Sequence, residues 1–216
     1  MTMSDNLYTV KTPAVTSQKR EGYHHGDLRA ALVRAAEEVI AERGVDGFSL
    51  REAARRAGVS AAAPQHHFGD ARGLLTAVAR LGFEGLCEAL VAANAAHPMP
   101  AGDEAARRAR LDAQARAYVA FAIAEPARFD VMWRKARIDT SDEAYHAAAR
   151  RAFVLLDEAI RGEAAEQCEG PRDPRTIAAW AAVHGFARLA LDGAFGPDPQ
   201  GAADAMLGAV IGRLDL

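Results

Sequence analysis

The chain has little cysteine: Cys87 and Cys168 are its only two, and neither has a C-x-x-C partner. A disulfide framework or a zinc site therefore has no support in the spacing, and reduced thiols are expected. No apolar run approaches the roughly 18 residues of a membrane span, and the first twenty residues are polar, without the apolar stretch of a signal peptide. A cytoplasmic protein is expected. The period-two alternation of strands is absent throughout, as are a nucleophile motif, a phosphate loop and paired metal ligands. An enzyme is not expected, and no cofactor or metal is implied.

What is present is helix. Half of the 216 residues are apolar, enough for a real core. The net charge of -3 is unevenly spread, with 11 basic and 9 acidic residues up to position 80 and 15 and 20 beyond it. That gradient has the sign expected when one lobe meets a polyanion. Residues 1–18 are polar and aperiodic and read as a disordered leader.

From Asp27, Leu28, Leu32, Ala35, Ala36, Val39 and Ile40 recur at helical spacing, and Gly44 offers a stop. Ser49 and Glu52 form a capping-box pattern that opens a second helix with Leu50, Ala53, Ala54 and Ala57 on its inner face. Gly58-Val59-Ser60 reads as a tight turn in which Ser60 caps a short third helix, from about Ala61 to Phe68. Helix, glycine turn and short helix make a helix-turn-helix. A long fourth helix from near Ala71 carries Leu74, Leu75, Val78, Leu81, Leu86 and Leu90, and breaks at His97-Pro98. Asp173-Pro174 and Asp198-Pro199 each read as a cap followed by a first-turn proline, opening the last two helices. The expected fold is all-α: a three-helix head, residues 19–75, joined to a larger helical lobe, residues 76–216.

Ala35-Ala36, Gly44, Phe48-Ser49-Leu50, Ala53-Ala54, Ala57-Gly58-Val59-Ser60, His66-His67-Phe68 and Leu74-Leu75 together resemble the DNA-binding domain of the TetR/AcrR family of regulators. Trp180, His184 and Gly185 resemble the signature of a C-terminal domain type named for its Trp-His-Gly pattern. The chain departs from the family at Gln65, usually aromatic, and at Ala71, usually lysine, so part of the phosphate grip must lie elsewhere.

The resemblance implies that the third helix enters the major groove of operator DNA with Ala61, Ala63, Gln65 and His66, and that His67 lies near the backbone. Ser49, Arg51 and Ser60 are expected on phosphates, and Lys19, Arg20 and Tyr23, with His24, in an N-terminal arm. Arg55 and Arg56 are as readily structural as functional. Adjacent histidines point about 100 degrees apart on a helix, so His66 and His67 do not suggest a metal site.

The resemblance also implies a homodimer through the last two helices, approximately Arg175 to Phe195 and Gln200 to Leu214, packed through Ala178, Ala182, Leu189, Ala205 and Ala209. Phe121, Met132, Trp133, Phe153, Trp180 and His184 are candidates for a small-molecule pocket, with a packed core as the alternative. Trp180, His184 and Gly185 can equally lock two helices together. Arg134, Lys135 and Arg137 suit an acidic effector or a plain solvated cluster. The implied function is a transcriptional repressor released from its operator by an effector. Alternatives are a ligand-independent DNA-binding regulator and, further off, a helical enzyme.

Overall fold

The computed structural model describes residues 25–162 and 173–214. The expected leader, Lys19, Arg20, Tyr23, His24 and Cys168 lie outside these. Among the described residues there are nine α-helices: α1 His25–Arg43, α2 Leu50–Arg56, α3 Ala63–Phe68, α4 Ala71–Ala96, α5 Glu104–Ala124, α6 Pro126–Met132, α7 Glu143–Arg161, α8 Pro174–Leu191 and α9 Pro199–Ile211. No helix among them is long and apolar enough to cross a membrane.

Short polar side chains start most of these helices, because the first amides of a helix have no internal acceptor. Ser49 accepts from the Glu52 amide, and Asp70, Asp103 and Asp142 each accept from the amide three residues on. Asp173 and Asp198 cap α8 and α9, each just ahead of its proline, as the sequence pattern predicts. A cap of this kind contributes about 1 kcal/mol.

Two details at the front differ from the sequence reading. The capping box is half formed: the Glu52 carboxylate turns from the Ser49 amide to Arg55 and Arg56, whose charge-assisted bonds are the stronger ones. The third helix begins at Ala63, and Ser60 does not cap it; its N-cap is Ala62, with no side-chain bond. Pro64 explains the shift. Lacking an N–H, it cannot bond to the Ser60 carbonyl, so residues 60–65 close by three-residue steps, Ala63 to Ser60 at 3.0 Å and Gln65 to Ala62 at 3.2 Å. The proline then occupies the first turn, where its missing donor costs nothing.

α4 is the axis of the molecule. Its first turns bury Leu74, Leu75 and Val78 against α1 to α3, and its later turns bury Phe83, Leu86 and Leu90 among α5, α6 and α7. One apolar core therefore runs through head and lobe. Gly82 lets α6 approach closely: a Cβ there would lie 2.7 Å from Met132 Sδ. Gly85 plays the same part for Phe121, whose ring would stand 3.2 Å from an added Cβ.

Candidate nucleic-acid interface and effector cavity

The head presents α3 outward. Gln65 and His66 are exposed, and neither makes a side-chain hydrogen bond to another described residue. Ala61 is exposed but lies in the turn before α3, and Ala63 is half-buried. Pro64 is buried and Phe68 half-buried, so the opposite side of α3 docks onto the head. His67 is half-buried beside Phe68, and its carbonyl accepts from Arg29 Nη1 at 3.0 Å. The Arg29 guanidinium also stacks 4.5 Å from the centre of the Phe68 ring, tying α3 to α1.

Charge within the head divides into two groups. Arg56 bridges α2 to α1 through Glu42 and also bonds Glu52 at 3.1 Å; Arg55 bonds Glu52 at 2.7 Å. These hydrogen bonds, Arg55's foremost, hold the Glu52 carboxyl down at about 2. Arg55 and Arg56 are thereby committed to bracing the head. Arg51, by contrast, is exposed on the first turn of α2, with no carboxylate in ion-pair range among the described residues. Beside it Ser49 is half-buried, and Ser60 is exposed at the turn.

The lobe encloses a cavity of about 770 Å³ between α4, α5, α7 and α8. Its wall is aromatic: Phe83, Tyr118, Trp133, Tyr145, Phe153 and Trp180 all line it. Of the six pocket candidates from the sequence, Trp133, Phe153 and Trp180 are in the wall; Phe121, Met132 and His184 are not. Met132 and Phe121 are drawn away onto Gly82 and Gly85, where a glycine leaves a hollow on α4.

His184 serves as a lock behind the wall. Its Nδ1 lies 2.9 Å from the Tyr118 hydroxyl, and its ring stands 4.8 Å from that of Trp133. The Trp180 indole also engages Tyr118 and can only donate. The tyrosine proton therefore points to His184, which accepts as a neutral ring. Burial, then the nearby Arg188, lowers the His184 pKa and favours that neutral form. Among the described residues Gly185 has nothing within 4 Å of an added Cβ, so it mediates no close approach among them.

Most of the cavity wall escaped the sequence reading. Phe83, Tyr118 and Tyr145 carry no local mark that separates wall from core. Gln114 did carry one, a polar residue between apolar Leu111, Ala115 and Tyr118 on one helix face, and it is 2% exposed. Of the three basic residues near α6, Arg134 pairs with Asp130 at 3.4 Å and Arg137 with Asp46 at 3.6 Å. Lys135 alone reaches the cavity.

Head and cavity meet at the segment between α6 and α7. Trp133, Lys135 and Thr140 line the cavity. Between them, the Ile138 carbonyl accepts from Arg72 Nη2 at 2.8 Å, and the Asp139 amide donates to Thr76 Oγ1 at 2.8 Å, both on the first turns of α4. Arg128 of α6 pairs with Glu37 of α1 at 2.6 Å.

Residues 32–78 match the family model described as bacterial regulatory proteins, tetR family, and residues 111–213 match one described as tetracyclin repressor-like, C-terminal domain. The tetracycline repressor protein class A from transposon 1721 of Escherichia coli is 38% identical over 73 residues, 34% of this chain and 30% of that protein. The chain belongs to the TetR family of transcriptional regulators. It is thus a DNA-binding regulator with the helix-turn-helix in α2 and α3. A structure of a protein of unknown function from Rhodococcus sp. RHA1 is similar at 34% identity and a TM-score of 0.69, covering 91% of this chain and all of that one. AibR, solved in complex with isovaleryl coenzyme A and operator DNA, shares the fold of this TetR-family chain at 22% identity and a TM-score of 0.60, over 84% of this chain and 97% of its own.

Proposed function

We propose that this TetR-family regulator is a cytoplasmic homodimeric repressor that leaves its operator when a small molecule occupies the cavity. The observation that carries the proposal is the double duty of residues 133–140, which line the cavity and bond to the first turns of α4 through Ile138 and Asp139. A ligand that shifts Trp133 or Lys135 pulls on the helix that sets the angle of the head. AibR, with coenzyme A ester and operator in one structure, is a precedent within the fold.

In this reading the head, residues 19–75, sets Gln65 and His66 against base edges, with Ala61 and Ala63 on thymine methyls. Ser49, Arg51, Ser60 and His67 contact phosphates, and Lys19, Arg20 and Tyr23 extend the grip. Residues 76–216 carry effector and dimer functions. The outer faces of α8 and α9 favour the dimer: Ile177, Leu189, Met206 and Val210 are 37%, 48%, 37% and 37% exposed. Ala178, Gly185, Ala205 and Ala209 lie open among them, small enough for helices to pack closely. Leu189→Arg should yield a monomer by light scattering and abolish tight operator binding, since one α3 reads too few base pairs alone.

Selection from random duplex DNA at fixed salt tests the reading as a whole. A palindrome with half-sites about one helical turn apart is expected; only sequence-blind, salt-sensitive binding would overturn it.

A further inference from the structure

The polarity of the cavity wall is uneven. Among the described residues, two buried side-chain polar atoms lack a hydrogen-bond partner, Gln114 Oε1 and Trp133 Nε1, and both residues belong to this wall. Gln114 cannot simply flip. Its Nε2 donates to Asn94 Oδ1 at 2.8 Å and to the Leu155 carbonyl at 3.0 Å, two acceptors that fix the amide and leave Oε1 over as an acceptor. Trp133 Nε1 can only donate. Orphaned buried groups are costly, which makes them strong selectors of a ligand that completes them.

The charged side chains of the wall are basic. Lys135, His146 and Arg150 line the cavity from exposed positions, and among the described residues the wall contains no carboxylate. Neither Lys135 nor Arg150 has a carboxylate in ion-pair range among the described residues. Trp133, the free donor, is two residues from Lys135. Leu155, which anchors Gln114, lies five residues along α7 from Arg150, about 7.5 Å of helix rise. The wall therefore carries cations, an unpartnered donor and an unpartnered acceptor, set among aromatic and aliphatic side chains.

We infer that the effector is an amphipathic anion: a carboxylate or comparable acidic group held by Lys135, Arg150 and Trp133 Nε1, an apolar body against the aromatic wall, and a hydroxyl or N–H donor for Gln114 Oε1. This rests on the effector reading above and adds the ligand's chemistry to it. The volume suits a drug-sized molecule.

The test uses 10-hydroxydecanoate against decanoate, which lacks the donor, and 1,10-decanediol, which lacks the anion. Binding is read from intrinsic fluorescence, because the chain's two tryptophans, Trp133 and Trp180, both line the cavity. The hydroxy acid should bind about tenfold tighter than decanoate and tenfold or more tighter than the diol. Gln114→Met should erase the advantage over decanoate while decanoate still binds, so that loss of fold cannot mimic the result. Lys135→Glu with Arg150→Glu should invert the charge preference, toward 10-amino-1-decanol. Tighter binding of the diol or the amine to the unaltered protein, or no binding of the hydroxy acid up to about 1 mM, would overturn the inference. Operator retention is measured separately. Binding in the expected order without operator release would sink the effector reading alone, and release by the diol or the amine would sink the ligand class alone.

Discussion

The head is held by bonds that span at most some forty positions, Arg29 to His67 among the longest, whereas the cavity is assembled from strangers. Ser49 caps an amide three residues away, and Arg55 and Arg56 reach Glu52 three and four residues back. In the lobe, Tyr118 and His184 meet across 66 positions, and Thr76 and Asp139 across 63. That assembly leaves the outward side of α3 exposed, so Gln65 and His66 are available for the base contacts proposed for them. In the lobe each wall residue also packs a helix, so selectivity must come from the few polar atoms that packing leaves unsatisfied.

The contrast breaks most visibly if both regions respond alike to loss of exposed side chains. Gln65→Ala with His66→Ala should lower specific operator affinity on the order of 100-fold at constant salt, with nonspecific affinity and thermal stability unchanged. Equal loss on operator and random duplex, measured by anisotropy titration, would mean that α3 only positions the head. In the lobe a single methyl should suffice to disturb the fold. Gly82→Ala drives a Cβ into Met132 and should destabilise by about 1–3 kcal/mol in chemical unfolding, without altering base preference.

This division also explains what could be read in the sequence. The caps Ser49, Asp173 and Asp198, the Gly58 turn at φ 68° and the apolar stripe of α4 are local signals, and the structure carries them as expected. The start of α3 was missed because Pro64 acts on the bond to the fourth residue before it, a matter of geometry more than pattern. The cavity was partly legible. Trp133, Phe153 and Trp180 line it, but Met132 and Phe121 looked equivalent until Gly82 and Gly85 drew them to α4. Lys135, Arg134 and Arg137 formed one basic cluster in sequence, and Asp130 and Asp46 divide it in space.

A smaller effect tests the junction between the two regions. Arg72 is exposed on the first turn of α4 and reaches the Ile138 carbonyl, so Arg72→Ala should leave the head and the cavity intact and loosen their link. Operator affinity without effector should change little, while the drop produced by saturating effector should shrink severalfold, a fraction of a typical 1–3 kcal/mol coupling. An undiminished drop would place the transmission elsewhere, with the Asp139–Thr76 bond and the Arg128–Glu37 and Arg137–Asp46 pairs as the bridges still in place.

The smallest expected effect is a pH dependence confined to the lobe. His184 has its pKa lowered by burial and by Arg188, below the ordinary 6.5, while its Nδ1 faces the proton of the Tyr118 hydroxyl. Between the lowered value and 6.5 the unfolded chain binds a proton that the folded chain refuses. The stability gained by keeping the ring neutral is therefore whole above pH 6.5 and is lost as pH falls from there through the folded pKa. Glu52 in the head titrates in a separate window, its contribution being lost only as pH falls below the ordinary 4.5 toward about 2. Thermal midpoints should thus decline modestly as pH falls below 6.5 because of His184 in the lobe, with Glu52 of the head contributing only in stronger acid. His184→Gln offers Tyr118 an amide oxygen as acceptor and has no ring to protonate, so the decline near neutrality should flatten while the acid limb persists. An unchanged slope in that variant would remove His184 as its source.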